Sequence, residues 1–373
     1  MKVLLVSCEG LGNGGVQAVI MTLCRNMPEI QFDIILFTSE RRYYDDEFEM
    51  LGGKIYRIPN YEGSSKYRRK LDYYIRFFRI FLRAYAILKS CKYDVIHCHN
   101  SLESGICNLA AYFAGVKVRI SHTHTANNQY SKKNIIAYLY KKFLQILVNC
   151  CSNVKISCTT ESFISIFGNK YLKKTSSLII PNAIDLSKFR RTQFNVKLLT
   201  TRINIVHIGR YCENKNQMFL IEFLPHILKE FPNTMLQLIG FGIEYKEQLQ
   251  KRANLLCIES KVKFLSSDSN KKEILEKADL FIFPSLTEGF GIALLEAQAM
   301  EVPCLVSDSV PKEVDCGLCK FLPLSENHEL WATEAVNIIK NNSPLKLDEE
   351  KLISFDVKKY AKKIKAIYEG MVI

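Results

Sequence analysis

The sequence predicts an α/β protein of two doubly wound domains, each a parallel sheet covered by helices on both faces. Three observations lead there. Short apolar runs alternate with amphipathic stretches along the chain, the pattern of parallel strands buried on both sides. The alternation stops in a charged segment, "DLSKFRRTQFNVKLLTTR", and then restarts. The length, 373 residues, is long for one core and suits two domains of ordinary size.

In the first half the strand runs are "KVLLVSC", "FDIILFT", "KIYRIP", "DVIHCHN", "KVRISHTH", "VKISCTT" and "SLIIPN". In the second they are "INIVHIGR", "MLQLIGFG", "VKFLSS", "LFIFPS", "PCLVSD" and "KFLPL". The break near residues 190–200 divides the chain into an N-terminal domain, 1–190, and a C-terminal domain, 200–354. The final stretch, 355–373, contains the basic amphipathic helix "DVKKYAKKIKAIYEG". It either caps the second domain or crosses back onto the first; periodicity does not choose. Open parallel sheets bind ligands beyond the carboxyl ends of their strands, so a shared ligand belongs in the cleft between the domains.

Composition narrows the class. Apolar content of 48% with 24% charge describes a globular chain without the polar bias of disorder. A net charge of +13 favours an anionic partner: nucleic acid, an acidic membrane surface or a phosphorylated substrate. The 13 cysteines are odd in number and many lie in apolar runs, where a free thiol packs as a small hydrophobe. "CGLC" (Cys316, Cys319) is a single C-x-x-C without a second pair at zinc-ribbon spacing. With no secretory signal at the start, a reducing cytoplasmic compartment is expected. No segment reaches the ~20 uninterrupted apolar residues of a membrane span. "NIIAYLYKKFLQILVNCC" comes closest and is broken by Lys141 and Lys142.

Residues 7–19, "SCEGLGNGGVQAV", place Gly10, Gly12 and Gly15 as G-x-G-x-x-G between a strand and a helix. That is the dinucleotide fingerprint, and Glu40 even stands near the end of the next strand run. Glu9 argues against it, since it sets a negative charge beside a clamped pyrophosphate. The useful part is then Gly14 and Gly15 ahead of the helix.

A more informative segment is "ADLFIFPSLTEGFGIALLEAQAM". A strand ends at Pro284, a loop carries Glu288, Gly289, Phe290 and Gly291, and a helix follows. Glycines ahead of a helix let backbone N–H groups approach an anion, and the helix dipole adds to the attraction. Glu288 and Glu296, eight apart, lie about 80° from each other around a helix axis, so both can face one ligand. Carboxylates suit vicinal sugar hydroxyls, which donate two hydrogen bonds. A glutamate at a helix start is ordinary on a surface. Glu296, however, is flanked by Leu294, Leu295 and Ala297, which read as a buried face.

In "VHIGRYCENKNQ" a strand ends at Gly209 and Arg210, and Lys215 opens the next helix. Cations five apart across such a turn can converge on a diphosphate, or simply be exposed. "LIGFG" places Gly240 and Gly242 at another strand end, where a backbone can approach a flat base. "HCH" (His97, His99) and "HTH" (His122, His124) put two same-face pairs of imidazoles at strand ends. Four imidazoles can hold zinc; the reading preferred here is hydrogen-bonding groups lining a polar cleft, with His124 nearest a reacting hydroxyl.

Residues 66–89, "KYRRKLDYYIRFFRIFLRAYAILK", carry eight cations against one acid. On a helix Arg69, Arg76, Arg79 and Arg83 form one face, with Leu71, Tyr74, Phe78, Phe81, Leu82 and Tyr85 opposite. The apolar face is expected in the core and the basic face against anionic headgroups or a lipid diphosphate.

These segments resemble a known family. "EGFGIALLEAQAMEVPCLVSD" resembles the E-x7-E signature of retaining, nucleotide-sugar-dependent glycosyltransferases of family 4, whose GT-B fold has two facing Rossmann-like domains. "IIPNAIDLSKF" is similar to their "IPNGID…F" segment and "HIGRYCENKNQ" to their "GR…K" segment. "GNGGVQAV" resembles their "GG-x-E" loop, with Gln17 in place of the acid, and "SDSVPKEVD" resembles the capsule and exopolysaccharide branch. Five segments in the expected order span nearly the whole chain.

The resemblance implies that Arg210 and Lys215 bind the donor diphosphate, Glu296 the ribose and Glu288 hydroxyls of the transferred sugar. Backbone of Phe290, Gly291 and Ile292 lies beside sugar and phosphates. Gly15 approaches the phosphates, and His124 contacts the donor sugar near the reaction centre. The nucleotide is uridine diphosphate by family habit, the acceptor a lipid-linked glycan, and nucleic acid is not a partner. No cofactor or metal is implied: fixed cations replace a divalent ion, and the sequence lacks a D-x-D triplet. Alternatives from other classes are a GT-B epimerase or hydrolase acting on the nucleotide sugar, a Rossmann oxidoreductase using the opening loop, and a non-catalytic basic binding protein.

Overall fold

Each apolar run singled out above is a strand, and every strand pairs in parallel with its neighbours. The computed structural model describes residues 1–58, 66–99, 102–124, 135–191, 202–325, 327–340 and 345–371. The chain divides into unit 1, Met1–Asn182 with Val357–Ile373, and unit 2, Ala183–Asp356.

Unit 1 runs β1 (Lys2–Ser7), α1 (Gly15–Asn26), β2 (Gln31–Leu36), α2 (Asp45–Met50), β3 (Ile55–Arg57), α3 (Lys66–Cys91), β4 (Val95–His99), α4 (Ser104–Ala114), β5 (Val118–Thr123), α5 (Ile135–Cys151), β6 (Val154–Ser157), α6 (Thr160–Phe167) and β7 (Ser177–Ile179). Its sheet order is β3-β2-β1-β4-β5-β6-β7. Val3, Leu4, Leu5 and Val6 of the central strand are fully buried, as a strand covered on both faces requires. Helix ends carry ordinary local signals: Thr159 caps α6 by accepting from the Ser162 amide, and Gly115 ends α4 in the left-handed region.

Unit 2 runs β8 (Asn204–Ile208), α7 (Gln217–Glu230), β9 (Met235–Gly240), α8 (Ile243–Leu255), β10 (Val262–Ser266), α9 (Lys271–Glu276), β11 (Leu280–Phe283), α10 (Ile292–Ala299), β12 (Cys304–Ser307), β13 (Cys319–Leu322), α11 (His328–Ile339) and α12 (Glu349–Ser354). Its order, β10-β9-β8-β11-β12-β13, reverses direction between β8 and β11. Trp331, the single tryptophan, is fully buried in this unit's core.

The last helix, α13 (Val357–Tyr368), groups with unit 1, burying Tyr360, Ile364, Ile367 and Tyr368 there. The division falls at residues 182 and 183, earlier than the charged stretch suggested. The Ile184 amide donates to the Phe355 carbonyl (3.0 Å), and Ile184 bridges to Asp356, which fastens the connector to the end of unit 2.

Helix α3 corrects one expectation. Side chains 66–75 lie outside the described residues, and with them Arg69, Leu71 and Tyr74. The buried line is Ile80, Ala84 and Leu88, while Phe78 and Leu82 are 65% and 61% exposed. The helix is apolar round too much of its circumference for the pattern alone to say which part meets the sheet. Packing against α4, with Phe81 against Phe113 at 6.1 Å, decides it. No helix among the described residues is long and apolar enough to cross a membrane. Cys316 and Cys319 are buried free thiols; burial pushes Cys316 up to about 12, which disfavours thiolate ligand chemistry there.

Candidate functional site

The strand order reverses between β8 and β11, the place where open parallel sheets take ligands, and Arg210, Lys215 and Glu288 lie on the turns that follow these two strands. Asn214 fastens the turn after β8 to the loop after β11. Its Nδ2 donates to the Thr287 carbonyl (2.9 Å), its Oδ1 accepts from Thr287 Oγ1 (2.7 Å), and its carbonyl accepts from the Leu286 amide (2.9 Å). That staple brings Lys215 and Glu288, 73 residues apart in sequence, into a largely buried ion pair. Lys215 Nζ also lies 5.1 Å above the Phe283 ring.

Arg210 is exposed, its guanidinium 5.3 Å from the Phe241 ring centre. Its carbonyl accepts from Gln217 Nε2 (2.8 Å), and the same amide reaches His207 Nε2 at 3.3 Å. His207 Nδ1 donates to the Ile282 carbonyl (2.9 Å), so Nε2 holds the lone pair. Burial pushes His207 down to about 4, keeping it neutral. Gln217 therefore shapes the Arg210 turn. Sequence reasoning passed over it, although it directly follows the lysine and asparagine of "NKNQ".

Glycine is needed here for packing. A Cβ on Gly240 would lie 2.1 Å from the Gly209 carbonyl oxygen, and one on Gly242 (φ +127°) would lie 2.7 Å from that of Tyr211. The pair marks where the turn after β8 crosses the end of β9.

Gly291, at φ +94°, precedes α10, and Ile292 opens the helix. The Phe290 ring is buried against Phe355, at 5.7 Å between ring centres, so only its backbone lies at the helix start. Glu296 follows in the second turn, 9% exposed. Its carboxylate has no hydrogen bond or ion pair among the described residues, and burial raises its pKa, opposed by the more distant charge of Lys271. The residue is buried, yet its carboxylate oxygens are not among the fully enclosed unpartnered atoms, so they face open space that a hydrogen-bonding ligand can fill.

In unit 1, Gly15 opens α1, and Gln17 is buried with its Nε2 directed at Glu9 Oε2 (3.3 Å). The departure from an acid at position 17 thus has a local reason: an acid there would face Glu9. The Arg42 side chain packs over Gly10, where a Cβ would lie 2.6 Å from Arg42 Cδ. A cavity of about 210 Å³ at the ends of β1 and β2 is lined by Glu9, Thr38, Glu40 and Arg42 among others. The Arg42 stem fills the space over Gly10, its guanidinium is paired with Glu40, and Glu9 adds a second carboxylate to the crevice, which weakens the case for a dinucleotide pyrophosphate and for the oxidoreductase reading.

The four histidines form a block of two edge-to-edge pairs. His97 Nε2 meets His122 Nδ1 at 3.2 Å with rings 3° from parallel, and His99 Nδ1 meets His124 Nε2 at 3.0 Å with rings 9° apart. The pairs stack with centres 4.0–4.1 Å apart. His97, His99 and His122 have nitrogens close enough together for a metal. In both pairs, however, ring centres 5.3 Å apart with such short N···N distances mean that the nitrogens point at each other, the geometry of N–H···N bonds. Both His97 nitrogens are also engaged, Nδ1 with the Tyr368 hydroxyl at 2.7 Å.

That hydroxyl, buried and held far from ionisation, donates to His97 Nδ1. His97 then donates through Nε2 to His122, leaving an Nε2–H on His122. Asn182 Oδ1 accepts from His124 Nδ1 (3.0 Å), so His124 Nε2 accepts from His99, leaving a lone pair on His99 Nε2. Both leftover atoms are buried without a partner. Burial lowers all four pKa values, His97 to about 3 and His124 to about 4. A sugar hydroxyl meets the His124 nitrogens only by displacing His99 or Asn182.

Two units of parallel strands, with a glycine-led helix start and a buried glutamate in the second, fit the GT-B fold of glycosyltransferases. Residues 13–188 match the family model "Glycosyltransferase Family 4", and residues 189–322 match "Glycosyl transferases group 1". EpsF of Bacillus subtilis is 30% identical over 87% of this chain and 84% of its own. The Escherichia coli UDP-Gal:alpha-D-GlcNAc-diphosphoundecaprenol alpha-1,3-galactosyltransferase is 25% identical over 96% and 94%. Anabaena HepE in complex with UDP-glucose shares the fold, with a TM-score of 0.76 at 17% identity over 99% of this chain and 100% of that one. The chain belongs to the family-4 glycosyltransferases and to their bacterial capsule and exopolysaccharide branch.

Proposed function

We propose that the protein moves a hexose or N-acetylhexosamine from a UDP-sugar to a lipid-linked oligosaccharide, retaining anomeric configuration and using no metal ion. It would work in the cytoplasm, at the inner face of the plasma membrane. The observation that carries the reading is Glu296, a buried residue behind the start of α10 whose carboxylate has no protein partner among the described residues. Vicinal ribose hydroxyls satisfy it with two hydrogen bonds. Support for the donor and acceptor classes comes from the E. coli relative, whose name specifies UDP-Gal and a diphosphoundecaprenol acceptor. HepE was seen with UDP-glucose.

Cleaving the glycosyl–phosphate bond builds positive charge on the sugar and negative charge on the departing diphosphate. Arg210, Lys215 and the α10 start, with the backbone of Phe290, Gly291 and Ile292, stabilise the second charge as it develops. Lys215 is held by Glu288 in the ligand-free protein, so donor binding exchanges that carboxylate for phosphate and frees Glu288 for the sugar hydroxyls. Gly242 lies where the base approaches. Gly15 and His124, from unit 1, take their roles as phosphate and sugar contacts from the family resemblance. Retention follows by attack on the face the diphosphate leaves.

The test is a panel of UDP-sugars offered with an undecaprenyl-diphosphate-linked sugar, in buffer with and without a chelator. Expected are UDP release, acceptor-dependent transfer and an unchanged anomeric configuration by NMR. No turnover of any UDP-sugar, an inverted product, or activity abolished by the chelator would each overturn the corresponding part.

A further inference from the structure

Helix α5 is apolar on the wrong side. Its inner stripe, Leu144, Val148 and Cys151, is buried, and α4 approaches so closely at Gly105 that a Cβ there would lie 2.7 Å from the Val148 amide. The packing demand of the helix is thereby met. Yet the outward stripe reads Ile135, Ile136, Leu139, Phe143 and Ile146, with four of the five 58–64% exposed. A solvent-facing stripe is ordinarily polar. Phe143 lies against Phe77 of α3, 5.7 Å between ring centres, and α3 adds the exposed Phe78 and Leu82 beside it. The result is a contiguous apolar face, of the kind that marks an interaction surface.

Charge identifies the occupant. From Arg76 to the end of α3, and along all of α5, there is no acidic residue, whereas Arg76, Arg79, Arg83, Lys141 and Lys142 are present. Two copies of such a face would set cation against cation, while an anionic bilayer offers apolar depth and opposite charge together.

We infer that the outer stripe of α5, continued by Phe78 and Leu82 of α3, is the face by which this enzyme lies on an anionic lipid surface. Roughly 16 Å of helix, from Ile135 to Ile146, lies in the interface with Lys142 at headgroup level. The inference rests on the lipid-linked reading of the acceptor and moves the docking element from the basic helix expected in the sequence to α5. The stretch that comes nearest to a membrane span is thus a helix that lies on the membrane.

The experiment is co-sedimentation of the full chain with phosphatidylglycerol-containing vesicles and with phosphatidylcholine vesicles. The variants are Ile136→Ser/Leu139→Ser/Phe143→Ser, Phe78→Ser/Leu82→Ser, and Lys142→Glu. All five apolar positions are exposed, so folding is expected to survive, checked by UDP-sugar turnover with a water-soluble acceptor. Expected are binding to anionic vesicles only, a roughly hundredfold loss of partitioning in the triple variant, a smaller loss in the double variant, and weakening by salt and by Lys142→Glu. Wild-type protein that ignores anionic vesicles, or a triple variant within about threefold of wild type, overturns the inference. So does a wild-type dimer that the triple variant converts to monomer. Normal turnover with unchanged vesicle binding sinks this face alone, whereas no turnover of any UDP-sugar sinks the proposed function whatever the vesicles show.

Discussion

Replacing Glu296 by Gln should stabilise the ligand-free protein and weaken its hold on nucleotide. The residue is buried, and its carboxylate is unpartnered and pushed up in pKa by desolvation. An isosteric amide removes a buried charge, which should return on the order of 1–3 kcal/mol to the stability of unit 2. The same change costs binding. In the proposed donor complex the carboxylate would accept from two ribose hydroxyls with charge-assisted bonds, and an amide oxygen would offer weaker, partial replacement. A loss of about 2–3 kcal/mol, roughly thirty- to 150-fold in Kd for UDP, follows. Unfolding can be followed by fluorescence of Trp331, which sits in the core of unit 2 with its Nε1 donating to the Pro323 carbonyl at 3.1 Å. The pH dependence has a definite sign. The folded pKa lies above the unfolded 4.5, so the native wild type binds its proton first as pH falls. The wild type's handicap therefore shrinks from neutrality toward pH 4.5, and with it the advantage of the amide. A Glu296→Gln protein that is less stable than wild type at neutral pH, or one that binds UDP equally well, would refute the reasoning.

Two further outcomes separate the roles of neighbouring groups. Lys215→Met should weaken UDP binding by roughly ten- to a hundredfold. Glu288→Gln, which releases Lys215 from its ion pair, should leave UDP binding equal or tighter while slowing transfer; calorimetry showing equal affinity losses in both would contradict this. Acidification from about pH 7.5 to 5.5 should loosen unit 1. His97 (about 3) and His124 (about 4) stay neutral when folded but take up protons near 6.5 when unfolded, so their stability contribution is intact above 6.5 and falls with pH. The cost at pH 5.5 is about 1.4 kcal/mol each, roughly 3 together, and His99 and His122 add in the same direction. Amide exchange in β4 and β5, corrected for intrinsic rates, should show it; equal protection at both pH values would contradict it.

Much of the fold was legible because parallel strands buried on both faces must be continuously apolar, so all of "KVLLVS" through "KFLPL" stand out without knowledge of partners. Glu296 was legible for a related reason: an acid within "ALLEAQA" has no solvent-facing excuse. Lys215 and Glu288 were each noticed, but their pairing was not, because a bond across 73 residues depends on the Asn214 staple, a three-dimensional fact. The histidine pairs were visible as alternate residues on two strands, and their register made them a block. His99 lies directly opposite His122 in the β4–β5 ladder, which turns two separate pairs into four stacked rings. Asn182 and Tyr368, which set their tautomers, come from a loop and from a helix far along the chain.

The sequence by itself determined the strands and the two-unit division in outline, since these follow from composition and from spacing within single elements, and its motifs pointed to the family by resemblance. The tertiary structure alone decided which side of α3 and α5 is buried, that α13 belongs to unit 1, and which polar atoms find partners. The physical reason is common to all three. An amphipathic pattern states how much surface a segment wants to hide, whereas the neighbour that hides it is chosen by packing, register and the partners other segments bring.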